Sequence, residues 1–175
     1  AVTFDFAEVM KYREKVVETI TGGGEFGDRY EKIFRSLGID VKKGKATFVD
    51  SHLIEVAGVH LQGKAFVIAT GTVEFIPPIR GLQTIKYLRW KEALCMKRLP
   101  KSLAIVGGGP VGCEIATFFA SFGTRVVLLQ SAPHVLHRED VEISALAREA
   151  LTDLKIEILT NTNVVEAVNG GVGTY

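Results

Sequence analysis

The residues best spaced to do chemistry are glycines. Gly107, Gly109 and Gly112 form a G-x-G-x-x-G, with Gly108 between the first two. Leu103–Val106, directly before them, is an apolar run of strand length. After them Val111, Ile115, Phe118, Phe119 and Phe122 recur at i, i+4, i+7, i+8 and i+11, the stripe of one helical face. Gly123 stands where a helix C′ glycine belongs, and Arg125–Leu129 is a second apolar strand. Strand, glycine turn, helix and strand together are the setting in which these glycines cradle a dinucleotide pyrophosphate. Gly107 permits the tight turn, Gly109 lets backbone approach the phosphates, and Gly112 lets the helix lie close on the strand. Backbone N–H groups and the positive end of the helix dipole then face the anion.

One position departs from this pattern. About 20 residues beyond the glycines, Asp or Glu normally ends the second strand and takes the ribose 2′-hydroxyl of NAD. Gln130 stands there instead. Its neutral amide can hydrogen-bond a hydroxyl and does not repel a 2′-phosphate. No arginine follows at Ser131, while His134, His137 and Arg138 lie just beyond as sources of positive charge. These residues fit NADH and NADPH alike.

The rest of the chain must position that turn. Its 175 residues suffice for a real core, with 47% apolar and 23% charged residues and a formal net charge of +1. This balance points away from disorder, nucleic acid and an acidic tail. No apolar run reaches the length of a membrane span, and no signal peptide opens the chain. Cys95 and Cys113 have neither metal nor redox spacing, which suits a cytoplasmic protein.

Thr3–Ile20 reads as an amphipathic helix stopped by Gly22-Gly23-Gly24. That glycine run is no phosphate loop, since no strand precedes it and no Lys-Ser/Thr follows. Asp28–Leu37 is a second helix, closed by Gly38. Ile39–Gln62 alternates like a small antiparallel meander, turning at Asp50-Ser51 and Ala57-Gly58. His52 and His60 there lack a ligand cluster. Ala65–Ala69 is a continuous apolar run, expected as a buried parallel strand, with Thr70-Gly71 at its carboxyl end. Pro77 and Pro78 exclude a helix next. Thr84–Leu99 is a connector with a helical turn over Lys91–Lys97, and the domain boundary is expected near Lys97–Lys101. Beyond Gln130, Glu139–Leu154 is a helix with Ile143, Leu146, Ala147, Ala150, Leu151 and Leu154 on one face. Lys155–Leu159 gives a third strand, and Asn163–Val168 begins another. The whole is α/β, its last part a β-α-β-α-β half of a doubly wound domain that looks cut short.

Several stretches now add up to a resemblance. Gly44-Lys45-Ala46-Thr47-Phe48, then Phe66-Val67-Ile68-Ala69-Thr70-Gly71 followed by Pro77 and Ile79-Arg80-Gly81, and then Leu99–Glu114 resemble segments of the flavoprotein disulfide reductases, in the family's order. That family includes dihydrolipoamide dehydrogenase, glutathione reductase and mercuric reductase. Arg80 stands where proline is usual. Arg138-Glu139-Asp140 is similar to the R-E-D of mercuric reductases.

The resemblance implies a Rossmann-like FAD/NAD(P)-binding fold: residues 1–98 as the later part of an FAD domain with the meander, and residues 99–175 as the start of an NAD(P) domain. It implies Ala69, Thr70 and Gly71 against FAD, Gly44 and Ala46 offering backbone near the adenine, and Gly107, Gly108, Gly109 and Gly112 around the NAD or NADP pyrophosphate. Glu114 would sit near the nicotinamide, and Gln130 at the ribose. Pro110 occupies the place of the tyrosine that gates the nicotinamide pocket in some members. The FAD pyrophosphate turn, the C-x-x-x-x-C and the C-terminal His-Glu pair are expected outside this chain, so no catalytic residue and no metal ligand is assigned. The implied activity is hydride transfer from NAD(P)H to FAD, then reduction of a disulfide or mercuric ion, by a homodimeric parent. This stretch alone is expected to be inactive. Two other readings stand beside it: an NADH oxidase or ferredoxin-reductase-like flavoprotein without the redox disulfide, and a non-catalytic nucleotide-binding remnant.

Overall fold

The computed structural model describes residues 4–23, 28–169 and 171–174, the last four as backbone only. The described residues pack as two units. One runs from Ile76 onward and takes in the residues up to Lys11; the other is Tyr12–Phe75.

Helix α1, Phe6–Thr21, begins where Asp5 can cap it: Asp5 Oδ1 accepts the Ala7 N–H at 2.8 Å. Of the predicted Thr3–Ile20, Thr3 lies outside the described residues, as does Gly24 of the glycine run. Helix α2 is Asp28–Ser36, and Gly38 ends it at φ +77°. Lys43, beyond α2, and Arg35 within it both bind Glu31, and the Lys43 hydrogen bond, ahead of the Arg35 one, holds that carboxyl below its usual range.

The meander is present. Strands β1 (Ala46–Phe48), β2 (Leu53–Val56) and β3 (Val59–Gln62) pair antiparallel in that order. Val56 pairs with Val59, which leaves Ala57-Gly58 as a two-residue turn with both φ positive, +51° and +80°. That is the primed turn whose twist suits a hairpin.

Ala65–Ala69 differs from its expectation. It forms no ladder with any described residue, and Val67 and Ile68 are 92% and 72% exposed. The physical reason is that a strand exists only by pairing, and its apolar composition reflects neighbours rather than an intrinsic preference. The described strands pair among themselves, and none pairs with this run. At its head Phe66 meets Phe48 edge-on, ring centroids 5.2 Å apart.

In the other unit a 3-10 turn at Leu82–Thr84 precedes the short helix α3, Trp90–Ala93. The expected turn over Lys91–Lys97 thus starts one residue earlier and stops at Ala93. Glu92 closes back on the Arg89 N–H at 2.6 Å and on the Arg89 guanidinium, whose side-chain bond is the largest cause of its lowered pKa.

Strand β4 (Ser102–Val106), helix α4 (Pro110–Ser121), strand β5 (Arg125–Leu129), helix α5 (Val141–Asp153) and strand β6 (Glu157–Leu159) then follow. The three strands are parallel in the order β4-β5-β6, with Ser102 opposite Arg125 and Val127 opposite Glu157. The predicted start of β6 at Lys155 moves to Glu157 because Lys155 turns the chain at φ +63°. Strand β7 (Val164–Val168) pairs antiparallel with β8 (Gly171–Thr174).

The core lies between α4 and β5. Phe119, Ala116, Leu128 and Val126 are buried there, and Phe6 and Met10 of α1 close over Phe118, Phe119 and Phe122. On α5 Leu151 of the expected face is buried and Ala147 partly so, while Ile143, Leu146, Ala150 and Leu154 are exposed and Ser144 is buried in addition. The Ser144 hydroxyl donates to the Val135 carbonyl, which satisfies it on the buried side beside Ala147 and Leu151. Among the described residues, no helix is long and apolar enough to cross a membrane.

Candidate functional site

The glycine turn is built from the end of β4. The Gly107 N–H donates to Leu129 O at 2.8 Å, continuing the β4–β5 ladder, and φ of Gly107 is +109°, where a side chain would be strained. Gly109 caps α4 in extended conformation, and Pro110 takes the first helical position, where a missing N–H costs nothing. The first amides of α4 have no acceptor within the helix and point out of the turn. A Cβ on Gly109 would meet nothing within 4 Å, so the space over that peptide is open. A Cβ on Gly112 would fall 1.9 Å from Gly107 O, so α4 lies against the turn as closely as backbone allows.

Around Gly108 the turn is crowded by chemistry. Its carbonyl accepts the Leu136 N–H at 2.7 Å, and its N–H donates to Gln130 Oε1 at 3.4 Å. Cys113 Sγ donates to the same carbonyl at 3.5 Å. Gln130 is buried, 5% exposed, and its amide also reaches His134 O and His137 Nδ1. The amide expected to face a ribose is therefore engaged with the protein's own backbone and His137. Beside the turn, Gly109, Pro110, Leu136, His137, Arg138 and Glu139 line a cleft of about 360 Å³.

Glu114 lies one turn into α4, exposed, on the same helix as the glycines. Gly107, Gly108, Gly109, Gly112, Glu114 and Gln130 thus gather at one end of the β4–β5 pair. The remaining candidates belong to the other unit. Gly44, at φ +151°, would press a Cβ to 3.0 Å from Val56 Cγ1, and Ala46 pairs with Val56 in the meander. Ala69, Thr70 and Gly71 are exposed in the unpaired extended segment, with Gly71 at φ +69°. The Leu136–Glu139 wall of the cleft was legible only as charge near the turn. What seats it is the Leu136–Gly108 bond, which needs Leu136 at φ +50° and leaves no mark in residue type.

Burial, ahead of the neighbouring Glu114 charge, pushes the Cys113 thiol up from its ordinary value. Cys113 is buried and Cys95 exposed. At pH 8 iodoacetamide is expected to label Cys95 and leave Cys113 unmodified until the chain is unfolded; mass spectrometry of the native protein reads this directly. No group of three or more His, Cys, Asp or Glu among the described residues is placed to hold a metal ion.

A parallel strand ending in a glycine turn that opens a helix defines a Rossmann-like nucleotide-binding fold. The chain belongs to the pyridine nucleotide-disulphide oxidoreductase family, whose model matches residues 5–174. It is 31% identical over 147 residues to a mercuric reductase of Staphylococcus aureus, covering 84% of this chain and 27% of that protein. It is 32% identical over 167 residues to a dihydrolipoyl dehydrogenase of Acholeplasma laidlawii, 93% of this chain and 48% of that one. Among solved structures it superposes on the HOCl-induced flavoprotein disulfide reductase RclA from Escherichia coli with TM-score 0.79 and 30% identity, over 98% of this chain and 39% of that chain. The chain thus spans between about a quarter and a half of the length of these relatives.

Proposed function

We propose that this chain is the nucleotide-handling part of an FAD-dependent pyridine nucleotide-disulfide oxidoreductase. The observation that carries the reading is the glycine turn between β4 and α4, with its open space over Gly109 and its cleft alongside, in a chain of this family. Residues 99–175 serve the pyridine nucleotide and residues 1–98 the flavin.

The fit is one of backbone. Gly107, Gly109 and Gly112 keep side chains away from the pyrophosphate while the start of α4 presents amides and dipole to it. Glu114 sits where the nicotinamide end lies. Gly44 and Ala46 offer backbone near the adenine of FAD, and Ala69, Thr70 and Gly71 lie against the flavin nucleotide. Bound FAD would supply hydride acceptance from NAD(P)H and two-electron delivery to a cysteine pair of the homodimeric parent, whose acceptor would be a disulfide, taking two electrons and two protons to give two thiols, or a mercuric ion, taking two electrons to give the metal. The chain's own residues bind, orient and exclude water; the acid, base and nucleophile lie elsewhere.

Titrating NADH and NADPH separately into the protein and following nicotinamide fluorescence tests this. Saturable binding of either, competed by ADP-ribose, is the expected result. Binding of neither would refute the reading.

A further inference from the structure

The carboxyl end of β5 is where a ligand-facing side chain was expected, and Gln130 faces inward instead. Its partners fix its orientation. The Gly108 N–H can only donate, so the amide oxygen faces it at 3.4 Å; the His134 carbonyl can only accept, so the amide nitrogen faces that, also at 3.4 Å. The same nitrogen lies 3.2 Å from His137 Nδ1, which must therefore accept, placing the proton of the neutral ring on Nε2. One buried amide thus joins three pieces: the middle glycine of the turn, the end of β5 and the 134–138 loop.

The same peptide is gripped from other directions. Leu136 N–H donates to Gly108 O at 2.7 Å, and a Cβ on Gly108 would come 3.1 Å from Gln130 Cβ and 3.2 Å from Val135 Cγ1. Val135 is fully buried. Leu136 and His137 form one wall of the cleft whose other wall is Gly109 and Pro110. The width of that cleft follows from how firmly the loop is held to Gly108.

We propose that Gln130 is a positioning residue: its side chain latches the 134–138 loop to the glycine turn and sets the cleft for the dinucleotide, rather than touching the ligand. The proposal rests on the dinucleotide-binding reading of the same cleft.

Substitution separates the latch from mere packing. In Gln130→Glu the carboxylate still accepts from Gly108 N–H, but it meets the His134 carbonyl and the His137 lone pair as acceptor against acceptor. The Kd for NADH or NADPH is expected to rise about tenfold at pH 8, the worth of one to two hydrogen bonds. Adding His137→Lys to Gln130→Glu should restore affinity, because an ammonium donates to the carboxylate, whereas His137→Lys alone should lower it, donor against donor; no restoration in the double variant overturns the latch. If Gln130→Glu fails to fold, Gln130→Met replaces it: affinity lowered about tenfold supports the latch, and unchanged affinity overturns it. A Gln130→Glu protein that keeps the unsubstituted affinity overturns the latch while leaving dinucleotide binding intact. Failure of the unsubstituted protein to bind either nucleotide overturns both.

Discussion

Gly112→Ala is expected to destabilise the protein by about 3 kcal/mol, the upper end of what overpacking usually costs. For a chain of this length that is a fall in Tm of about 6–12 °C. The added methyl would sit 1.9 Å from the Gly107 carbonyl oxygen, well inside contact distance, and that oxygen is backbone with nowhere to rotate. Either α4 lifts off β4 or the turn opens. Lifting α4 disturbs Ile115 and Phe119, both in the core. Opening the turn breaks the Gly107–Leu129 bond. Nucleotide binding should be lost along with stability, because both routes move Gly109. Gly123→Ala is the control. Its site is open on all sides, and only its φ of +90° is unfavourable, so about 1–2 kcal/mol is expected with binding retained. Differential scanning fluorimetry of the two variants checks the contrast; equal losses would mean that the close approach at Gly112 is not what matters.

Phe119→Ala should cost still more, about 4 kcal/mol, as a buried aromatic replaced by a methyl leaves a cavity that the surroundings fill only in part. Phe119 is fully buried. Its ring meets Phe118 edge-on at 5.2 Å and Phe6 at 6.5 Å, so it is one of the three rings, with Phe118 and Phe122, against which Phe6 of α1 packs. Loss of the ring should loosen the first turns of α1 before the sheet. Phe119→Leu keeps most of the volume and is expected to cost less than about 1.5 kcal/mol. Urea unfolding of both variants measures the difference; a Phe119→Ala midpoint matching that of Phe119→Leu would show the site collapsing freely.

How much of this was legible in the sequence depends on where each feature gets its energy. The β4–α4–β5 unit was legible because its signals are local: an apolar run, three glycines, a helical stripe and a closing glycine, all within 30 residues. The meander was legible from alternation and from the Ala57-Gly58 turn. Ala65–Ala69 forms no ladder because a strand needs a partner, and residue type does not say which strand, if any, pairs with it. On α5 the spacing placed Ala147 and Leu151 correctly, but it also admitted Ile143 and Leu146, which are exposed, and it passed over Ser144, whose hydroxyl is satisfied by the Val135 carbonyl. Gln130 was found at the right position, but its direction was not readable. Which way a long polar side chain points is decided by partners 4, 7 and 22 residues away.

Arg80 carries a last consequence. Its N–H donates to Val165 O and its carbonyl accepts from Ala167 N–H, and its guanidinium meets Glu166 at 2.9 Å, 86 residues along the chain. A proline in its place would forfeit the first of these bonds. Closing a flexible loop of that length costs about 4 kcal/mol of chain entropy. Once β4, β5 and β6 have assembled, much of the intervening chain is already fixed and the span left to close is far shorter. The Arg80 bridge is therefore a clasp fastened over a finished sheet, cheap to make late and dear to make early.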